Sequence, residues 1–260
     1  MSGAALSDLE RERYSRQLSM AGWSGEAQER LRSASAVVVG AGALGCPAAT
    51  YLAAAGVGRI AIVDSDTVEL SNLHRQPLHL TPDIGAQKAD NAALKLGFLN
   101  PQILVEPFPA RVEPANAEAI LAGADVVVDA SDSFETRYTV NDACCALGVP
   151  LVEAGLSGFS ALVMSVRPGA SACYRCVFAV APNGRDPSAR AGGVLGAAAG
   201  IVGSIQALEA IKLLAGVGEP LLDTILQLDL ADMTQTLVST ARRAGCTACG
   251  QAGPAPAGAS

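Results

Sequence analysis

The sequence is poor in charged, aromatic and histidine residues. Charged residues make up 17% of its 260 positions, and 18 Lys and Arg against 25 Asp and Glu give a formal net charge of -7. A chain with this acidic balance lacks the broad basic surface that binds nucleic acid, so we expect no nucleic-acid partner. Half of the residues are hydrophobic, which is enough for a sizeable core and excludes global disorder.

Signals for export and membrane insertion are also lacking. The N-terminal residues show no basic start followed by an apolar stretch, so we expect no secretory signal and a cytoplasmic location. Residues 191–208 are rich in Gly and Ala, but they are poor in large aliphatic residues and include Ser204 and Gln206. The stretch predicts a helix inside a globular core, and no membrane partner.

The cysteines favour a metal site over disulfides. Seven is an odd number for a disulfide framework, and four of them form two pairs with two-residue spacing, Cys173 with Cys176 and Cys246 with Cys249. Four thiolates in a tetrahedron are the ligands of a closed structural zinc site, which has no open position for water. The pairs predict zinc that stabilises the fold; four reduced cysteines without metal are the alternative.

The residue pattern divides the chain into three parts. Residues 1–34 are charged and helix-prone, with Leu18, Met20, Trp23 and Leu31 as apolar contacts, and predict a helical arm on the main body. Residues 35–250 predict a single domain that includes the cysteine pairs. Within it, residues 181–193 read as a mobile loop, and residues 251–260 form a tail of Ala, Gly, Pro and Ser that we expect to be disordered.

From residue 35, short β-branched runs alternate with amphipathic stretches rich in Ala and Leu. This pattern predicts an α/β fold with a mostly parallel, Rossmann-like sheet and flanking helices. Strands are predicted at residues 36–39, 60–64, 103–107, 125–129, 151–153, 162–166, 224–228 and 235–239. Helices are predicted at residues 43–55, 85–96, 115–122, 134–147 and 194–214.

A glycine-rich turn follows the first strand and opens the first helix of this domain. Its glycines are Gly40, Gly42 and Gly45, in a context where backbone N–H groups and a helix N-terminus hold a phosphate. Asp64 ends the next strand, where a carboxylate can accept hydrogen bonds from a ribose. The pair predicts a nucleotide site without saying which nucleotide; a glycine turn that merely packs helix on strand is the alternative.

The loop beyond the second strand carries polar and cationic groups at the edge where α/β sheets bind ligands. These are Asp66, Asn72, Arg75 and Gln76, and Lys88 follows near the start of the next helix. Arg75 or Lys88 alone would read as an ordinary surface charge. Their clustering after a nucleotide motif favours phosphate contacts.

The fourth strand end is acidic. Asp132 follows residues 125–129 and should emerge on the same edge as the glycine turn, where a hard carboxylate suits magnesium. It can also serve as the N-cap of the helix that starts near Phe134. Arg137, one turn into that helix, could pair with a carboxylate or face solvent.

The chain resembles the MoeB/ThiF-like sulfur-carrier adenylyltransferases, relatives of the ubiquitin-activating enzymes. The resemblance extends from about Arg13 to Gly250 and rests on an ordered set of motifs rather than on any single one. These motifs are Arg13-Tyr14-Ser-Arg16-Gln17, Gly40-Ala-Gly42-Ala-Leu-Gly45-Cys, Asp64-Ser-Asp66-Thr-Val, Leu70-Ser-Asn72-Leu-His-Arg75-Gln76, Gly85-Ala-Gln-Lys88, Asp129-Ala-Ser-Asp132 and the two cysteine pairs.

The resemblance implies that the chain uses ATP and magnesium to adenylate the C-terminal glycine of a small ubiquitin-like carrier ending in Gly-Gly, of the molybdopterin-synthase or thiamine type. It assigns the ribose to Asp64, the phosphates to Asn72, Arg75 and Lys88, and magnesium to Asp132. It also implies a homodimer, in which Arg16 reaches the triphosphate of the other subunit. A carboxylate nucleophile is already ionised at neutral pH, which accounts for a chain with only two histidines.

The sequence departs from the family pattern in the segment before the Gly-rich helix. Many members carry a cysteine there for a covalent link to the carrier or to a sulfur donor, and this chain has Ala189 at the aligned position. Cys46, Cys144 and Cys145 fall on predicted helices and read as small buried residues. We therefore expect the acyl-adenylate to pass to a separate sulfur donor.

Three other functions compete with this one. A nicotinamide-dependent dehydrogenase would use the glycine turn and Asp64 equally well, but it gives no role to Arg75, Lys88, Asp132 and Arg16. A non-catalytic scaffold has no physical need for every nucleotide contact. Within the family, activation of a peptide or a modified RNA base instead of a protein carrier stays open.

Overall fold

The computed structural model describes residues 5–180 and 193–250. Most of the predicted mobile loop, with Ala189, and the predicted tail at residues 251–260 lie outside the described residues. Within the described part, the chain alternates helices and strands from residue 35 onward. The α/β fold class is confirmed.

The described helices are α1 (Asp8–Arg13), α2 (Ser15–Leu18), α3 (Gly25–Ser33), α4 (Gly45–Ala55), α5 (Lys88–Leu99), α6 (Ala117–Leu121), α7 (Phe134–Leu147), α8 (Tyr174–Val177) and α9 (Gly196–Ala215). The described strands are β1 (Ser35–Val39), β2 (Arg59–Val63), β3 (Leu104–Phe108), β4 (Val126–Asp129), β5 (Leu151–Ser157), β6 (Ser160–Val166), β7 (Thr224–Asp229) and β8 (Thr234–Ser239). Two 3-10 turns, Leu70–Asn72 and Thr81–Asp83, lie between β2 and α5.

All eight strands form one sheet in the order β3-β2-β1-β4-β5-β6-β7-β8. The pairs from β3 to β5 are parallel, and those from β5 to β8 are antiparallel. The strand order reverses at β1, which lies between β2 and β4. In α/β sheets the crevice at such a switch point is where ligands bind, outside the carboxyl ends of the strands.

The sheet separates two hydrophobic layers, as the alternation along β1 shows. Ala36 and Val38 pack with α3, α4, α5 and α9 on one face, whereas Val37 and Val39 pack with α6, α7 and α8 on the other. Both faces of β1 are therefore covered, which explains why its sequence is a continuous apolar run.

Several predicted boundaries are shifted by a few residues. The helix predicted to begin at residue 85 begins at Lys88, because Gly85 has a φ of +91° and lies in a turn. The first helix of the domain begins at Gly45 instead of residue 43.

The expectation that Met20 is an apolar contact of the N-terminal segment is wrong. Met20 is 57% exposed, and Tyr14 is buried instead. The Tyr14 hydroxyl accepts a hydrogen bond from Asn100 Nδ2 at 2.9 Å.

Among the described helices, α9 is long and apolar enough to span a membrane by length and composition. In this fold it packs against α4, β4 and β5. Its Gln206 side chain is fully buried and donates to the Asp129 carbonyl oxygen at 2.7 Å. Gln206 therefore ties α9 to the end of β4. This hydrogen bond accounts for a polar residue inside an otherwise apolar helix.

Candidate functional site

A cavity of about 400 Å³ lies beyond the carboxyl ends of β1, β2 and β4. Nine of the residues predicted from sequence line it: Gly40, Gly42, Asp64, Asp66, Asn72, Arg75, Gln76, Lys88 and Asp132. Sequence positions more than 90 residues apart are thus brought to one crevice at the switch point of the sheet. Two predicted residues, Gly45 and Arg16, do not line this cavity.

The glycine turn is shaped by close backbone contacts. Gly40 has a φ of +98°, and a β-carbon at this residue would lie 2.8 Å from the Ala130 carbonyl oxygen. A β-carbon at Gly45 would lie 1.8 Å from the Gly40 carbonyl oxygen. Gly45 therefore lets the first turn of α4 pack on the loop, which is a different role from the predicted contact with the nucleotide.

Asp64 hydrogen-bonds to the backbone of the glycine turn and to the backbone of the loop after β2. Its Oδ2 accepts a hydrogen bond from the Ala41 N–H at 2.7 Å, and its Oδ1 accepts one from the Asp66 N–H at 2.8 Å. Burial raises the pKa of Asp64 from its ordinary value, although these two backbone donors oppose the rise. Each carboxylate oxygen has two lone pairs, so Asp64 can still accept hydrogen bonds from a ribose.

Lys88 is the first residue of α5, and its side chain is buried although it is charged. It is 6% exposed, and its Nζ donates to Asp66 Oδ2 at 2.8 Å. The alternative of an ordinary surface charge is wrong for this residue. An ammonium with three N–H donors and one carboxylate partner retains donors for a phosphate.

The loop after β2 contributes Asn72, Arg75 and Gln76. The Oδ1 of Asn72 accepts from the Glu69 N–H at 3.2 Å, which closes the 3-10 turn at Leu70–Asn72. The Nη1 of Arg75 donates to the Ser71 carbonyl oxygen at 2.6 Å. Gln76 is buried, and its Oε1 has no hydrogen-bond partner within the described residues. This loop therefore presents amide and guanidinium groups to the cavity.

Asp132 is exposed at the rim of the cavity. The expectation that it caps α7 is wrong, because the N-cap is Ser133, whose Oγ accepts from the Thr136 N–H at 3.1 Å. The Asp132 carboxylate is therefore free of a capping role. Its hard oxygen atoms are ligands suited to a divalent cation such as magnesium.

A second cavity of about 630 Å³ adjoins the first, and Arg137 and Leu156 line both. Arg137 does not face solvent, the second possibility that the sequence left open. It is buried, its Nε lies 3.5 Å from Glu153 Oε1, and its Nη2 donates to the Ser131 carbonyl oxygen at 3.2 Å. The guanidinium thus lies at the junction between the two cavities.

Two buried carboxyl groups neighbour this guanidinium. Asp129 is the last residue of β4, Glu153 is its register partner within the adjacent strand β5, and both are fully buried. Burial raises the pKa of Glu153 well above its ordinary value, and the charge of Asp129 adds to the rise, whereas Arg137 opposes it. One proton shared by the two carboxyl groups would leave a single negative charge against Arg137.

Sequence reasoning missed Arg111, which also lines the first cavity. It follows β3 at the same edge of the sheet, and its Nη2 lies 3.8 Å from Glu135 Oε2 with both side chains exposed. The rule that ligands bind beyond the carboxyl ends of parallel strands could have found it. No motif marks it, because it stands alone in its loop.

Arg16 lies on α2 and is exposed. Its neighbour Gln17 donates to the Ala55 carbonyl oxygen at 3.2 Å, at the C-terminal end of α4. The glycine turn adjoins the other end of α4, which is 11 residues long, or about 16 Å. Arg16 is therefore held away from the cavity of its own chain.

The four paired cysteines converge, with their sulfur atoms all within 4.8 Å of one another. The Sγ atoms of Cys173 and Cys246 are 3.6 Å apart, and those of Cys176 and Cys249 are 3.3 Å apart. Four sulfurs about 2.3 Å from one zinc ion would be about 3.8 Å from each other. The donor set and its spacing fit a tetrahedral metal site.

The three remaining cysteines are buried, as the sequence predicts. Burial raises the pKa of Cys46 to about 12, and it raises the pKa of Cys144 as well. A thiol of this kind is a poor nucleophile, because the reactive form is the thiolate. Cys46 and Cys144 are therefore poor nucleophiles, and Cys144 and Cys145 pack in the hydrophobic layer with α6, α7 and α8.

The chain is similar to proteins that activate sulfur carriers. It is 46% identical over 250 residues to the SAMP-activating enzyme E1 of Haloferax volcanii, covering 96% of this chain and 92% of that protein. It is 44% identical over 247 residues to the sulfur carrier protein adenylyltransferase of Thermus thermophilus, covering 93% and 91%. It is also 44% identical to the adenylyltransferase and sulfurtransferase MOCS3 of Sus scrofa, of which it covers 55%.

Solved structures show the same fold at lower identity. The crystal structure of E. coli MccB with ATP matches with a TM-score of 0.82 and 24% identity, over 92% of this chain and 75% of that one. PaaA matches with a TM-score of 0.77 and 23% identity, over 94% and 77%. The model of the ThiF family matches residues 14–248. Together with the relatives above, this match confirms the resemblance seen in the motifs: the chain belongs to the ThiF family.

Proposed function

We propose that this protein is an adenylyltransferase that transfers AMP from ATP to the C-terminal glycine of a small ubiquitin-like sulfur carrier and releases pyrophosphate. The observation that carries this proposal is one cavity lined by nine of the predicted nucleotide residues, joined to a second cavity at Arg137. The relatives named for carrier activation, at 44–46% identity over more than nine tenths of each chain, support it.

The reaction needs positioning and charge neutralisation more than it needs a base. A carboxylate oxygen of the carrier forms a bond to the α-phosphorus of ATP. The bond from that phosphorus to the bridging oxygen breaks, and its electron pair leaves on pyrophosphate. Lys88 and Arg75, which line the first cavity, would neutralise the phosphates, and Asp64 in the same lining would hold the ribose.

Magnesium would be held by Asp132. Its carboxylate is exposed to the cavity, and none of the described cations pairs with it. When bound, magnesium would neutralise phosphate charge. The protein's own contribution is to keep Asp132 available, which it does by giving the N-cap of α7 to Ser133.

The second cavity would hold the extended C-terminal tail of the carrier. Its lining combines aromatic rings such as Tyr138, Tyr174 and Phe178 with the polar edge of β7 and β8. Arg137 at the junction would bind the terminal carboxylate or the last carbonyl groups of the tail as they enter the nucleotide cavity. Three exposed apolar side chains would face the folded part of the carrier: Leu237 on β8, Phe159 in the turn between β5 and β6, and Met233 in the turn between β7 and β8.

A homodimer would supply Arg16 to the phosphates. Since Arg16 lies near the C-terminal end of α4, it can serve a phosphate only in another copy of the chain. An apolar groove on α4 and α9, with Tyr51, Ile201 and Leu208 exposed, is a surface on which a second copy could pack. A two-fold axis across α4 would bring the C-terminal end of one α4 near the glycine turn of the other.

The remaining assignments follow from the cysteines. The four converging sulfurs would hold zinc as a structural ion, because all four positions of a tetrahedron are then occupied by protein. With its other cysteines buried, the chain would hand the acyl-adenylate to a separate sulfur donor. The reducing cytoplasm suits such free thiolates.

The proposal is tested by ATP–pyrophosphate exchange with purified carriers that end in Gly-Gly. We expect exchange with at least one carrier, abolished by Asp132→Ala and by removal of the carrier's last glycine. A nicotinamide-binding titration runs alongside, because the glycine turn and Asp64 also suit a dehydrogenase. Absence of exchange with every carrier, together with tight nicotinamide binding, would contradict the proposal. The relatives do not favour that alternative.

A further inference from the structure

Hydrogen bonds with neighbouring side chains hold the glycine turn at Ala41, a residue of the turn that lies behind the cavity. Ala41, between Gly40 and Gly42, is 2% exposed and does not line the cavity. Its N–H donates to Asp64 Oδ2 at 2.7 Å, and its carbonyl oxygen lies 3.0 Å from His79 Nε2. The Cys46 Sγ also donates to this carbonyl oxygen, at 3.4 Å, but a thiol is a weak donor. The peptide groups on either side of Ala41 are therefore held chiefly by Asp64 and His79.

The hydrogen bonds of His79 define its tautomer. Its Nδ1 lies 2.8 Å from Asn91 Nδ2, an amide nitrogen that can only donate. The second hydrogen of this amide points to Asp83 Oδ2 at 3.3 Å, which fixes the orientation of the amide. Nδ1 is thus the acceptor, and the proton is on Nε2, where it is donated to the Ala41 carbonyl.

A continuous chain of side chains results. Lys95 pairs with Asp83, Asp83 accepts from Asn91, Asn91 donates to His79, and His79 donates to the glycine turn. Asn91 and Lys95 lie on α5, the helix whose first residue is Lys88. This hydrogen-bond network therefore joins α5, which carries Lys88, to the glycine turn, which would hold the phosphates.

We propose that His79 is a positioning residue for the nucleotide: it fixes the backbone of the glycine turn relative to α5, so that the turn and Lys88 meet the same phosphates. This inference rests on the proposed ATP site and adds a residue that touches no part of the cavity. A side chain here must donate at one end and accept at the other, which a neutral imidazole does without rotating.

Two substitutions test the two nitrogen atoms of the imidazole separately. In His79→Gln the amide nitrogen takes the place of Nε2, which retains the donor to Ala41 but removes the acceptor for Asn91. In His79→Asn the side-chain oxygen takes the place of Nδ1, which retains the acceptor for Asn91 but removes the donor to Ala41. The Kd of Mg-ATP is measured by calorimetry without any carrier, so failure to find a carrier does not affect the test.

We expect His79→Asn to weaken Mg-ATP binding about tenfold, because the Ala41 carbonyl loses its imidazole donor and keeps only the weak Cys46 thiol. We expect His79→Gln to stay within about threefold of wild type. In pyrophosphate exchange the KM for ATP should follow the Kd, while the KM for the carrier stays unchanged. Equal loss in both variants, or greater loss in His79→Gln, would mean that His79 only supports packing and would overturn the proposal.

Asn91→Leu provides the second route if His79→Asn fails to fold. It leaves His79 in place without its fixed partner, so the imidazole can rotate and the glycine turn is less well held. We expect an intermediate loss of Mg-ATP binding, with the thermal unfolding of the unliganded protein close to that of His79→Gln. Wild-type ATP binding in this variant would contradict the role of the chain of hydrogen bonds.

Discussion

The guanidinium of Arg137 lies against the backbone of Gly155, so close that a β-carbon at residue 155 would be 2.8 Å from Nη1. Gly155 is in the middle of β5, where a glycine is otherwise unfavourable for a strand. The absence of a side chain gives the guanidinium its place between the two cavities. This glycine therefore serves the arginine on α7 rather than the conformation of its own strand.

Gly155→Ala should displace the guanidinium and leave the fold intact. The β-carbon would meet the end of a flexible side chain instead of backbone, so the strand need not move. We expect kcat/KM for the carrier to fall about tenfold or more, since a small misplacement of a positioning group is costly, while the Kd of Mg-ATP is little changed. Gly97→Ala on α5, where a β-carbon meets nothing within 4 Å, is the matched control.

The proposed contribution of Arg16 across the dimer can be measured by mixing subunits. Arg16→Ala and Asp132→Ala should each be inactive as pure dimers. A mixture that exchanges subunits should recover about a quarter of wild-type activity, because half of the dimers are mixed and each contains one intact site. A mixture as inactive as its components, once exchange of subunits is verified, would count against action in trans.

Metal removal should destabilise the protein. We expect one zinc per chain by elemental analysis, and a fall in the melting temperature of about 5 °C or more after chelation. Cys176→Ser should lower the zinc content in the same way. Cys144→Ala is the control, because this buried cysteine lies outside the sulfur cluster and its loss should leave the zinc content at one. Unchanged melting after complete metal removal would exclude a structural role.

The stability of the protein should fall on mild acidification because of His79. Burial lowers the pKa of His79 below 6.5, and the charges of Lys88 and Lys95 lower it further, whereas the Ala41 carbonyl and Asp64 oppose them. As the pH falls below 6.5, the unfolded chain takes up a proton that the folded chain resists, so the free energy of unfolding falls. The contribution of His79 to the free energy of unfolding is complete above pH 6.5 and is lost as the pH falls toward the lower pKa of the folded state.

His79→Gln isolates this contribution from that of the carboxylates. Between about pH 7.5 and about pH 5.5, the melting temperature of wild type should fall more than that of the variant. Parallel curves for the two proteins would show that His79 is not the group that titrates.

The strands and the residues that line the first cavity could be predicted from sequence because their signals are local. A run such as Ala36–Val39 is apolar on both faces, and Asp64 follows its own strand directly. The parallel order of the strands then brings every strand end to one edge. Helix starts were less predictable, since Gly85 and the residues before Gly45 continue an Ala-rich pattern while their backbone forms turns.

The contacts between distant residues could not be predicted. The partner of His79 is 38 residues away in sequence, and Tyr14 is buried through contacts with Asn100 and Gly56. No sequence pattern around His79 or Tyr14 identifies the residue with which each forms its hydrogen bond. The burial of Lys88 is similar, because a lysine at the start of a helix is usually exposed and only the fold supplies the Asp66 carboxylate beside it.

The sheet changes from parallel to antiparallel pairing at β5, and this change bears on how relatives of the protein can differ. The parallel half, β1 to β5, sets the relative position of the residues that line the first cavity through five adjacent strands, so a change there disturbs several side chains at once. Within the sheet, the hairpin of β7 and β8 pairs only with β6, and every residue of β8 is exposed. We therefore expect this hairpin to tolerate exchange between relatives better than the parallel strands, whose ends form the first cavity.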